Sequence, residues 1–221
     1  MIVSPLTGQQ KRWVGSRKFL GTTANVLTSR VSSLFEFNTN TCLWSVVYAY
    51  GQASDSYIVG VSNSGTSRGY VLGTFNGDLR FVKEGVANVD GTATTTLANN
   101  RWYAIQGQGT TGGNVKLKRY AYESGILATE TVTNTNTLNA PLGDACMVGN
   151  KPGGGTLLEW DGLIAEVVIL QGDPTNNEFL QWAIDGWISP RLNLKLHSIL
   201  GWGNPDRYQS GFRHDLRPSA T

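Results

Sequence analysis

The chain is poor in charge, in sulfur and in histidine. Charged residues fill 15% of its 221 positions, and it has two Cys, two Met and two His. No apolar run approaches the ~20 residues needed to span a bilayer, so no membrane-spanning helix is expected. The N-terminal stretch MIVSPLTGQQKRWVGSRKF lacks the apolar segment of a secretory signal, which implies a chain made and folded in a cytoplasm. Disulfides are rare there, so Cys42 and Cys146, each inside an apolar strand-like run, are expected as buried free thiols rather than a bridge. Neither has a His or a second Cys at metal-ligand spacing. His197 lies in an apolar segment and His214 in a basic tail, without the Ser or Cys context of a nucleophilic triad; each is expected to bond locally or face solvent. The Gly-rich stretches GTTGG and PGGG lack the Lys-Ser/Thr of a phosphate loop and read as turns. No cofactor and no metal is expected.

Strand formers and turn formers are abundant. Forty per cent of the residues are apolar and 27 are Gly, with many Thr and Asn. Gly and Asn tolerate positive φ, and Thr suits a pleated surface, so the composition favours strands joined by tight turns. A chain of this length fits one large domain. Residues 1–30 hold five basic residues and no acid, residues 31–190 hold eight basic and fourteen acidic, and residues 191–221 hold five basic and two acidic. Basic ends on an acidic body suit nucleic acid, the acidic body of a neighbouring copy, or nothing beyond a solvated surface. Nucleic acid is the disfavoured partner.

Taken in order, residues 1–33 read as an arm laid over the surface or over a partner, able to contribute a first strand. TCLWSVVYAY (41–50) reads as a central strand, followed by SYIVGVS (56–62). Asn76-Gly77, between the β-rich runs of residues 69–85, predicts a hairpin closed by a type I′ turn. TATTTL (92–97), NRWYAIQGQG (100–109) and the pair within 113–132, turning at Glu123-Ser124-Gly125, add further strands. Val115, Leu117, Arg119 and Ala121 should face one way, and Lys116, Lys118, Tyr120 and Tyr122 the other. After ACMVGN (145–150), LLEWDGLIAEVVIL carries Gly162, where a bulge or bend is expected, and a second half apolar enough for burial on both faces. Thr175 and Glu178 are spaced as a capping box for one late helix, with Phe179, Ala183 and Trp187 on one stripe and Ser189-Pro190 at its end. The expected organisation is an arm over 1–33, an all-β sandwich over 34–190 ending in a short helix, and an extension over 191–221.

Four pieces in this order resemble the laminin G-like branch of the concanavalin A-like jelly-roll superfamily: TCLWSVVYAY, ANNRWYAIQGQ, NVKLKRYAYESGILA, and MVGN with WDGLIAEVVILQGDPTNNEFLQWAIDGWI. The resemblance covers residues 34–190 and implies a jelly-roll β-sandwich. The hairpin turn Asp-Gly common in the superfamily is Glu123-Ser124-Gly125 here. No cluster of Asp and Asn matches the calcium or manganese sites of sugar-binding members, so metal-dependent binding does not carry over. Some members are glycoside hydrolases with Glu-x-Asp-x-x-Glu on one strand. Glu159 and Asp161 begin such a pattern, but Ile164 and Ala165 stand where the third acid belongs. Glu166 has the opposite parity, unless a bulge at Gly162 restores it. These acids read as structural, and the chain as a non-enzyme.

Of the seven Trp, Trp44, Trp102, Trp182 and Trp187 sit on apolar faces and read as core. Trp13, Trp202, Tyr208 and Phe212 lie in segments that cannot build a core of their own. They either pack back on the sandwich or, with Arg17 and Arg213, anchor a partner, since aromatics and Arg dominate interface hot spots. The first expectation is a non-enzymatic virion component of a bacteriophage, a capsid decoration or head-associated protein that contacts virion proteins and other copies, as a trimer, through its ends. The second is a lectin-like carbohydrate-binding module of an adhesin or tail fibre, taking a glycan with loop aromatics. A glycoside hydrolase comes third.

Overall fold

The computed structural model describes residues 16–20, 27–28, 35, 39–50, 55–63, 68–84, 89–110, 113–133, 146–150, 160–200 and 217–218. They form two seven-stranded antiparallel sheets with one helix. The first sheet contains β1 (Arg17–Leu20), β3 (Thr41–Ala49), β8 (Arg101–Gly109), β9 (Val115–Ala121), β10 (Ile126–Val132), β12 (Asp161–Gln171) and β13 (Asn193–Ile199), in the order β1-β12-β3-β8-β9-β10 with β13 also on β12. The second contains β2 (Leu27–Thr28), β4 (Ser56–Asn63), β5 (Arg68–Phe75), β6 (Asp78–Glu84), β7 (Val89–Thr96), β11 (Cys146–Val148) and β14 (Arg217–Pro218), in the order β14-β2-β11-β4-β5-β6-β7.

Local chemistry explains the hairpins. Asn76 (φ 50°) and Gly77 (φ 88°) supply the two positive φ values of a two-residue turn, and Phe75 pairs with Asp78 across it. Tyr70, Leu72, Leu79 and Phe81 all enter the core between the sheets, as alternation predicts. The β9–β10 turn runs through Glu123-Ser124-Gly125 as expected, with Gly125 at φ 68° donating to the Ala121 carbonyl at 2.8 Å. Val115, Leu117 and Ala121 face the core between the sheets, whereas Tyr120 lies in a second cluster on the outer face.

Strand β12 is paired along both edges. β3 takes one edge over its whole length, while β1 takes Asp161 to Ile164 of the other and β13 takes Glu166 to Gln171. The sheet therefore includes strands from both stretches flanking 34–190. The expected bulge lies three residues beyond Gly162. Ile164 pairs with Val47 and Glu166 with Val46, so Ala165 is the extra residue. Gly162 instead lets two backbones approach closely, since a Cβ there would stand 2.1 Å from the Tyr48 carbonyl oxygen.

Helix α1 (Asn176–Asp185) covers the outer face of the first sheet. Its start follows the predicted capping box: Glu178 N donates to Thr175 Oγ1 at 3.2 Å, and Thr175 N donates to Glu178 Oε2 at 2.9 Å. Its end does not follow the expected stripe. Gly186 (φ 82°) caps the helix in the left-handed conformation, its N–H donating to the Trp182 carbonyl. Phe179, Trp182 and Ala183 are the buried helical residues, and Trp187, beyond the cap, is 47% exposed rather than core. Trp44 meets Trp182 at a 4.8 Å centroid distance and Phe179 at 5.9 Å. This second buried layer explains why β12 is buried on both faces. The two cysteines lie in different layers, Cys42 under the helix and Cys146 between the sheets, and both are free.

Candidate functional site

A row of aromatic side chains crosses the outer face of the first sheet, beside the C-terminal end of α1. Registers place it: Leu163 pairs with Tyr48, Tyr48 with Trp102, and Tyr122 N donates to the Trp102 carbonyl at 3.2 Å. Alternation along β3 puts Tyr48 and Tyr50 on the same face as Trp44, and along β8 it puts Trp102 on the face of Ala104, which packs under the helix. Tyr48, Tyr50, Trp102 and Tyr122 are all half-buried. Strands about 4.8 Å apart make the line from Tyr48 to Tyr122 roughly 10 Å long, the span of about two pyranose rings. The rings are inclined to one another: Tyr48 meets Trp102 at 5.4 Å and 61°, and Tyr50 at 5.2 Å and 74°. Tyr122 is fixed to the helix end, its hydroxyl donating to the Ala183 carbonyl at 2.7 Å. Trp102, expected as core, thus has one side on the cluster beneath the helix and part of its surface in solvent.

Two carboxylates border the row. Glu123, in the exposed β9–β10 turn, accepts from Trp102 N through Oε1 at 2.9 Å, and its Oε2 has no protein partner among the described residues. Asp161 lies opposite Tyr50, whose N–H donates to the Asp161 carbonyl at 3.3 Å.

Several other polar groups on this face hold α1. Trp44 Nε1 donates to Gln106, Gln106 to Gln108, and Gln108 to Asp173 at 3.0 Å. Lys116 also donates to Asp173 at 2.9 Å, while Lys118 donates to the Pro174 carbonyl at 2.7 Å. The Asp173 carboxyl is held below its ordinary value by the Gln108 and Lys116 hydrogen bonds, and burial lowers the Lys118 ammonium. At the far end of the helix interface, Glu166 Oε1 accepts from Trp182 Nε1, with His197 Nε2 2.7 Å away. His197 thus bonds locally, as its apolar surroundings suggest.

The bulge at Ala165 sends Glu166 to the face of Asp161, the parity an unbroken strand would forbid. The two acids are still five residues apart, roughly 15 Å along a strand. The carboxyl pairs of glycosidases stand about 5–9.5 Å apart, so these two do not flank one glycosidic bond. Glu159 lies outside the described residues, as do Trp13, Trp202, Tyr208, Phe212 and Arg213. Arg17 is in β1, where its backbone pairs with Ile164. Among the described residues, no three His, Cys, Asp or Glu side chains cluster as a metal site.

No protein-family model matches the chain, and no curated protein matches it. Solved structures do. A putative carbohydrate-binding protein from Bacteroides ovatus superposes with a TM-score of 0.60 at 15% identity, over 95% of this chain and 59% of that one. Domain 4 of AbnA, a GH43 extracellular arabinanase from Geobacillus stearothermophilus solved with arabinotriose, gives 0.58 at 12% identity over 76% of each chain. The enzymatically active domain of bacteriophage CBA120 tailspike protein 2 gives 0.55 at 12% identity, over 90% of this chain but 35% of that one. This chain thus spans about a third of the tailspike domain. The fold is a concanavalin A-like, laminin G-like β-sandwich, as the sequence resemblance implies.

Proposed function

We propose that the protein is a non-enzymatic carbohydrate-binding module that holds its glycan on the aromatic row of Tyr48, Trp102 and Tyr122. The observation that carries this reading is the row itself. Aromatic side chains at the surface of a β-sheet, half in solvent, present apolar faces to the C–H groups of a pyranose, while neighbouring polar groups take its hydroxyls. Likeness to a putative carbohydrate-binding protein and to an arabinanase domain solved with arabinotriose supports the same reading at the level of fold. It stands ahead of the capsid-decoration reading, which nothing in the described residues specifically supports. A place on a tail fibre or tailspike joins the two, and likeness to a phage tailspike domain supports that setting.

A glycan array followed by calorimetry tests the reading. Specific hits without cleavage of the bound glycan are expected, both with calcium and with a chelator. An array empty under both conditions would overturn it.

A further inference from the structure

We infer that Trp102 and Glu123 form one monosaccharide subsite, and that it takes a neutral pyranose with vicinal hydroxyls, on a free glycan chain rather than on a crystalline polysaccharide surface. This deepens the carbohydrate-binding reading and rests on it. Three observations lead here. The first is anchoring: Glu123 Oε1 accepts from the Trp102 backbone N–H at 2.9 Å, which fixes an acceptor at the residue whose indole is half-exposed. A carboxylate with one oxygen anchored and Oε2 unpartnered can accept from two adjacent hydroxyls of a sugar whose C–H face lies on the ring.

The second observation is charge. Glu123 is a charged group fastened to Trp102, through the bond to its backbone N–H. Arg101 precedes Trp102 on β8, so alternation sends it to the opposite face. An anionic sugar at Trp102 would meet the like charge of Glu123. The third is ring inclination. The angle of 61° between Tyr48 and Trp102, and of 74° between Tyr48 and Tyr50, leaves no coplanar platform for the flat face of a crystalline polymer.

The experiment combines the glycan array with three soluble variants. Neutral oligosaccharides should bind, whereas sialylated and uronate-bearing glycans of the same core and microcrystalline cellulose should not. Glu123→Gln keeps an acceptor for Trp102 N and removes the charge; it should weaken neutral-glycan binding about tenfold. Trp102→Ala should abolish binding, and Trp102→Tyr, which keeps a ring and so guards against a folding defect, should retain part of it. Preference for acidic glycans, retention on cellulose, or neutral-glycan binding unchanged in both Glu123→Gln and Trp102→Ala would each overturn the subsite while leaving carbohydrate binding itself standing, and the last would also take the glycan off Trp102. An array with no hit for any glycan would overturn both.

Discussion

Trp182 donates its indole N–H to Glu166 Oε1 at 2.8 Å, joining the middle of α1 to the residue that follows the β12 bulge. Glu166 is 1% exposed and also lies 2.7 Å from His197 on β13. One carboxylate thus ties the helix, the longest strand and the strand beside it. Because the bulge turns Glu166 under the helix, it links sequence to packing directly. Glu166→Ala should leave the Trp182 N–H unsatisfied and lower unfolding stability by about 3 kcal/mol, the range for breaking a buried charged network. Glu166→Gln, which keeps an acceptor for the indole, should lose about 1 kcal/mol. Urea unfolding followed by Trp fluorescence measures both. Equal losses in the two variants would show that the indole bond is not what matters.

Gly107 and Gly109 on β8 let the two sheets approach closely. A Cβ on Gly107 would stand 2.5 Å from Phe81 Cδ2 and 2.8 Å from Leu72 Cδ1, both in the facing sheet. Gly107→Ala should therefore destabilise by about 1–3 kcal/mol through overpacking, although Ala ordinarily suits a strand better than Gly. Gly125 is the control. It has a positive φ of 68° but open space, with Tyr120 Oη 3.9 Å from the added Cβ. Gly125→Asn should stay within about 1 kcal/mol, since Asn tolerates that conformation. A larger loss at Gly125 than at Gly107 would contradict this account of the core.

Features that depend on a few adjacent residues are legible in the chain. The Asn76-Gly77 turn, the Thr175/Glu178 cap and the alternating faces of β5, β6 and β9 follow from local φ preferences and side-chain spacing. The helix end is obscured because the apolar period continues into Trp187 and Ile188. Gly186 is the signal that helical geometry stops earlier. The double edge of β12 cannot be read locally, since its partners come from residues 17–20 and 193–199, about 170 positions apart. The aromatic row has the same origin. Tyr48 and Trp102 each read as members of apolar strands, and only the β3–β8 register makes them neighbours at a surface. The aromatics expected to contact a partner, Trp13, Trp202, Tyr208 and Phe212, lie outside the described residues.

Both thiols should be inert in the folded protein. Cys42 and Cys146 are fully buried, and burial pushes both thiols up, that of Cys146 to about 12. A thiolate is the reactive form, so labelling requires opening of the fold. Ellman's reagent at pH 8 should find no thiol in native protein and two after denaturation. Rapid labelling of one equivalent without denaturant would show that a layer opens independently, and mass spectrometry would identify it as the layer under the helix or the one between the sheets.

Acid should loosen the helix before the sandwich. The Glu178 carboxyl is held at about 2, chiefly by its hydrogen bonds from Arg191, and Asp173 is also held below its ordinary 3.8 by Gln108 and Lys116. For a carboxyl whose folded value is depressed, the stabilisation is complete above the unfolded value and disappears as pH falls through the folded one. The relevant window therefore runs from the ordinary Glu value of 4.5 down to about 2. Both acids stand at the start of α1, Trp182 is on its buried face and Trp44 lies beneath it, so their fluorescence should change in that window while far-UV β-sheet signal persists. Glu178→Gln should flatten most of the change and Arg191→Ala should shift it toward higher pH. A titration identical in wild type and Glu178→Gln would remove Glu178 as the cause.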